Sequence, residues 1–152
     1  MDQFFADYMD NMADLHNEMM KAVRHLPPEA LDWIPFPGGN SMSVLIVHTA
    51  GAEKFWLGDV VGSEPSGRDR PAEFKSKGLT APGLEAKLNE SLGFAELVLS
   101  KLGLEDMNAM RLDPRNSQEV TVAWALAHAL KHTALHLGHI QVTHDLWDQS
   151  AG

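Results

Sequence analysis

The chain has no cysteine among its 152 residues, which removes disulfides, thiolate metal sites and a protein thiol nucleophile together. Any thiol chemistry must use a thiol from elsewhere. Basic residues are also scarce: 12 Lys and Arg against 21 Asp and Glu leave a net charge of -9. That charge repels phosphate backbones and no basic stripe offsets it, which argues against nucleic acid and against an anionic membrane surface as partners. No apolar run approaches the roughly 18 residues of a membrane span. The start, Met1-Asp-Gln-Phe-Phe5, lacks the basic residues and small-residue cleavage site of a secretory signal, so a cytoplasmic location is expected. No strand-like alternation of convincing length is present. Also missing are the Glu-x-x-His repeats of carboxylate di-metal bundles, the zincin His-Glu-x-x-His and the Gly-x-Ser-x-Gly of serine hydrolases.

What is present is helical periodicity. The length fits one domain spanning residues 1–152, and 44% hydrophobic with 22% charged residues is ordinary for a globular chain. Residues 2–25 carry Phe5, Tyr8, Met12, Leu15, Met19 and Val23 at spacings of three and four, ending at Leu26-Pro27-Pro28. A loop, Pro35-Phe-Pro-Gly-Gly-Asn-Ser41, leads to a second helix that Ser41 or Ser43 caps and that ends near Gly62. The polar, charged stretch from Gly62 to Gly78 is long for a small domain, and connections of that length often act as lids or contacts. A third helix is expected from about Pro82 to Leu102. After a second connection, Ser117 should open a fourth helix running through Trp147. The expectation is an all-α four-helix bundle with long connections, with up-down-up-down order as one arrangement.

The most informative segment lies in the fourth helix. His128, His132, His136 and His139 follow at spacings of four, four and three, which puts them within an arc of about 80°. Such a stripe is either a metal site or a pH-sensitive seam, because imidazole is both the commonest metal-ligating side chain and the one that titrates near neutrality. His48 is the single histidine of the second helix. In a bundle, ligands from facing helices meet in the core, so His48 with His132 and His136 makes a three-imidazole site. Three protein ligands leave positions open for water or substrate, the catalytic pattern.

The order Trp33-x-Pro-x-Pro-Gly-Gly-Asn-Ser-Met-Ser-Val-Leu-Ile-Val-His48, then Glu53-x-Phe-Trp56, then His128-x-x-x-His132-x-x-x-His136-x-Gly138-x-Ile140 resembles the DinB-like (damage-inducible, YfiT-like) bundle metalloproteins. The resemblance covers nearly the whole chain. It implies metal ligands at His48, His132 and His136, a divalent ion (zinc or nickel first, iron or manganese as alternatives), and a homodimer. It also implies a transferase that joins a low-molecular-weight thiol, such as bacillithiol or mycothiol, to an electrophile. A metal-dependent hydrolase and a non-catalytic, metal-binding stress-response module stay open beside it. The chain departs from the family at Leu137 and His139, where arginine and glutamine commonly flank the glycine.

For the other residues the reading is plainer. His128 and His139 are candidates to orient a ligand or substrate, with core or surface placement as the alternative. Glu53, about 140° around the helix from His48, should face a neighbouring helix end or solvent rather than the metal. Trp56, Trp124 and Trp147 are expected as core or interface aromatics, and His16, His25 and His144 as surface residues.

Overall fold

Four long helices frame the computed structural model, which describes residues 1–152. Helix α1 spans Gln3–Val23, α3 Met42–Lys54, α5 Ala81–Leu99 and α6 Val122–Ala151, while α2 (Pro28–Leu31) and α4 (Arg70–Glu73) are single turns within connections. Helix α3 runs on into a wider π-helical segment, Phe55–Gly62, so the whole element ends at the expected glycine. Its start is capped as expected, the Ser41 hydroxyl accepting from the Val44 N–H at 3.1 Å.

Ser117 does not open the last helix. It lies in the turn of a small antiparallel ribbon, β1 (Met110–Asp113) with β2 (Gln118–Thr121), and adopts φ 59° there. Thr121 is the cap, its side chain accepting from the Trp124 N–H. Strands of four residues are too short to show a period, which is why the ribbon was not expected. The other connection expected to be featureless, 62–78, also holds a turn of helix, α4, whose first turn is set by the Asp69 carboxylate accepting from the Ala72 N–H.

The order of the helices follows from the two apolar clusters that fill the bundle. One joins Phe5, Tyr8 and Met12 of α1 with Phe55–Val61, with Ala95–Leu99 of α5 and with Val122–Ala129 of α6. The other joins Met19–Val23 with Met42–Ala50, with Ala81–Leu88 and with Ile140. Hence α1 and α6 run one way and α3 and α5 the other. The direction is up-down-down-up, and not the alternation that short loops would give. Packed neighbours are α3 with α5 and α6, and α1 with α5 and α6. Because α3 and α5 are parallel neighbours, the chain between them must return along the bundle, and this requirement explains the length of residues 63–80.

Between the two clusters lies a polar belt to which each long helix contributes one residue. Glu53 of α3 is 1% exposed and accepts hydrogen bonds from His16 of α1 at 2.9 and 3.0 Å, Ser91 of α5 at 2.6 Å and Thr133 of α6 at 2.8 Å. His16 is therefore buried, not a surface residue, and Glu53 faces the centre of the bundle, not solvent. The reason is reciprocal: a buried carboxylate is tolerated only with donors around it, and His16 is its principal one.

Candidate metal centre

On the α3–α6 side, displaced from the belt toward the second cluster, the structure brings His48, His132 and His136 together. Their ligand-capable nitrogens all lie within 4.8 Å of one another. The Nε2 atoms of His48 and His132 are 3.2 Å apart and those of His132 and His136 are 3.1 Å apart. Nitrogens about 2.0–2.1 Å from a shared zinc ion at tetrahedral angles would be separated by about 3.3 Å, so the cluster fits one cation. The contacts are poorly satisfied by protons alone. His48 Nδ1 is 3.1 Å from Glu73 Oε1 and donates to it, which leaves its Nε2 as a bare acceptor. One proton on His132 Nε2 serves one neighbour well, whereas a cation accepts all three lone pairs at once.

The electrostatics agree. Burial, reinforced by the neighbouring imidazoles His136, His48 and His128 and by Arg68, pushes the His132 pKa down to about 3. Burial, then His48 and His139, pushes His136 down to about 4. Both are neutral at pH 7, the form in which imidazole ligates a metal.

Glu73 and Arg68 were not legible in the sequence as members of the site. Both come from the crossover between α3 and α5. Arg68 holds the Glu73 carboxylate with two parallel hydrogen bonds, Nε to Oε2 and Nη2 to Oε1, each 2.8 Å. Burial alone would raise the Glu73 pKa, but the hydrogen bonds from Arg68 and His48 outweigh it and hold the carboxyl below its usual range. This is the carboxylate–histidine arrangement that fixes a ligand's tautomer and ring direction. It depends on Gly51, one turn after His48, because a Cβ at that position would collide with the Glu73 carboxylate. Phe74, the next residue, lays its ring 5.0 Å from that of His48.

The other stripe histidines do not join the trio. His128 stacks on Trp124 at 4.8 Å and lies 6.3 Å, ring to ring, from His132. Its pKa is lowered by burial and by the nearby Lys131 and Arg115 charges. It does not supply a fourth ligand, so a cation on the trio keeps open positions. His139 is exposed and places Nδ1 3.3 Å from His136 Nδ1. Trp56 is buried as expected, but Trp124 is 47% exposed. Of the expected surface histidines, His25 is exposed and His144 half-buried.

The sequence pattern of the DinB superfamily matches residues 12–140. No curated protein matches the chain. Among solved structures, a conserved protein from Enterococcus faecalis is 15% identical with a TM-score of 0.79, covering 96% of this chain and 98% of that one. Another, YfiT from Bacillus subtilis, is 19% identical with a TM-score of 0.71, covering 94% and 87%, and is described as "a probable metal-dependent hydrolase with an unusual four-helix bundle topology". At these identities the likeness is one of fold.

Proposed function

The chain belongs to the DinB superfamily, and from that membership and the geometry of its histidines we propose that it is a metal-dependent enzyme. Its ligands are His48, His132 and His136, and its reaction is transfer of a low-molecular-weight thiol to an electrophile. Zinc or nickel is the first choice of metal, with iron or manganese behind. Thiol transfer is preferred on the family resemblance and on the absence of any cysteine, which leaves a thiol to be supplied from outside. Glu73 is taken up by Arg68 and His48, and Glu53 by His16, Ser91 and Thr133, so neither is free to act as a base, and deprotonation of a thiol or a water would fall to the metal. A divalent cation on the trio would supply Lewis acidity and deprotonate a coordinated thiol without a protein base. The chain's own residues hold and orient: Glu73 keeps the proton on His48 Nδ1, Arg68 keeps Glu73 in place, and Phe74 covers the His48 ring. In the transfer the thiol gives its proton to solvent, the new sulfur–carbon bond forms and the electrophile's leaving-group bond breaks.

Hydrolysis is the second reading, favoured by the description of YfiT. The test uses protein purified without a histidine tag or chelator. Elemental analysis should find about one divalent ion per chain. The metallated protein should then conjugate bacillithiol, mycothiol, glutathione or coenzyme A to a halogenated aromatic or an epoxide, and stripping the metal should abolish turnover. Metal-dependent cleavage of esters or amides with no thiol present would replace thiol transfer by hydrolysis. Bound metal with neither reaction would leave a metal-binding stress-response module.

A further inference from the structure

The loop that enters α3 forms a wall. Phe36-Pro37-Gly38-Gly39 closes on a hydrogen bond from the Gly39 N–H to the Phe36 carbonyl at 2.9 Å. Gly38 sits at φ 81°, as in a type II turn with proline at its second position and glycine at its third. Between this turn and the C-terminal half of α6 lies a cleft of about 310 Å³, at the lower end of the range for small-molecule sites. Its sides are apolar: Phe36 and Val142 are 60% and 59% exposed, with Leu45 and Leu146 beside them. A rigid turn that holds a phenyl ring in water is costly unless something covers the ring.

The cleft carries no fixed charge, and its polar side chains are Asn40, His139 and Thr143. Its single titratable lining residue is His139, and the Thr143 hydroxyl is used up on the His139 carbonyl at 2.8 Å. None of the trio lines the cleft, but two of its lining residues neighbour the trio. His139 lies 3.3 Å from His136, and Leu45 is one turn before His48 on α3.

We propose that this cleft binds the apolar body of the electrophilic substrate, an uncharged molecule carrying an aromatic ring or a branched chain, with its one polar group directed at the histidine trio. The direction of that polar group rests on the metal-centre reading; the binding of the apolar body does not. A charged ligand would find no counter-charge in the cleft, and the net charge of -9 disfavours anions further.

The probe is 4-fluorobenzyl alcohol, followed by fluorine NMR against the whole protein, first metal-free and then loaded with cobalt(II). Saturable binding to the metal-free protein is expected. It should weaken at least tenfold in both Val142→Asp and Leu146→Asp, whose exposed positions tolerate aspartate, while an unchanged melting curve and unchanged metal content show that each variant is folded. In the cobalt form the bound fluorine signal should broaden paramagnetically. Absence of saturable binding, or equal binding by both variants, overturns the proposal. Binding without cobalt broadening in a protein that holds cobalt overturns its connection to the trio. If the protein takes up no cobalt, the metal-centre reading fails and the metal-free titration still decides whether the cleft binds.

Discussion

Replacing Glu53 by alanine should cost more stability than any other single change in the polar belt. The carboxylate is 1% exposed and receives His16, Ser91 and Thr133, one donor from each of the other long helices. The two hydroxyls can turn to carbonyls of their own helices after the substitution. His16 cannot: it is 5% exposed, and its Nδ1 already lacks a partner. Removing one member of such a buried pair costs about 3–5 kcal/mol, a large part of the roughly 5–15 kcal/mol that holds a domain folded. At about 2–4 °C per kcal/mol for a chain of this size, the melting temperature should fall by roughly 6–20 °C. Thermal and urea unfolding followed by circular dichroism measure it. A Glu53→Leu/His16→Leu pair should recover part of the loss, because no unpaired imidazole or carboxylate then remains, and a double-mutant cycle should give a coupling of at least about 1 kcal/mol. If Glu53→Ala costs less than about 1 kcal/mol, or if the two single substitutions add without coupling, the belt is not the joint between the helices that its hydrogen bonds describe.

Alanine at His48, His132 or His136 should remove most bound metal, whereas His25→Ala should not; full retention in the His132→Ala/His136→Ala protein, measured by elemental analysis, refutes the ligand set. Chelation should lower the melting temperature at pH 7, since metal that binds only the folded form adds about 2.7 kcal/mol at a hundredfold excess over Kd; identical curves after confirmed metal removal would contradict this. For the metal-free protein the sign of the pH effect is fixed by His132 and His136, whose folded pKa values of about 3 and 4 lie below the ordinary 6.5. As pH falls below about 6.5 the unfolded chain takes up protons that the folded one refuses, so stability should fall from there toward pH 4; a curve flat over that window refutes the burial of both imidazoles. Gly51→Ala should push Glu73 off His48 and weaken metal binding about 10–100-fold, as loss of a ligand's outer partner does, an outcome read by competition with a chelator of known affinity.

The residues that define the bundle were legible because their causes are local. Ser41 as a cap, the proline stop after α1 and the spacing of His128, His132 and His136 each follow from the backbone geometry of one helix. The meeting of His48 with His132 and His136 was legible one step further, since side chains carried by facing helices of a bundle meet in its core. What escaped depends on contacts between distant segments. His16 looks like a surface histidine until α1 and α3 are placed diagonally across the core, where it meets Glu53 thirty-seven positions away. The helical spacing turns Glu53 away from His48, and its partners are His16, Ser91 and Thr133, which places it in the middle of the bundle instead of at its rim. The ribbon of β1 and β2 was too short to have a period.

The crossover shows why topology and chemistry are linked here. Parallel neighbours α3 and α5 force residues 63–80 to run back along the bundle, and that path takes them over the outer side of His48. A bundle of alternating helices joined by short turns would have no chain at that place. Asp59 anchors the first part of the path by accepting from the Ser66 hydroxyl and, at 3.3 Å, from its N–H. The single turn of α4 then presents Glu73 inward, with Arg68 behind it. The same segment that satisfies the connection therefore fixes the tautomer of His48, and neither Arg68 nor Glu73 could be recognised from spacing because their position is set by the path and not by a repeat. It follows that Arg68→Lys, which keeps the charge but loses the two-pronged grip, should let Glu73 swing and broaden the set of His48 orientations. In a cobalt-substituted protein the change would appear as an altered visible spectrum with the ion still bound. A spectrum identical to that of the parent protein would mean that Glu73 holds its place without Arg68, and that the crossover contributes cover but no orientation.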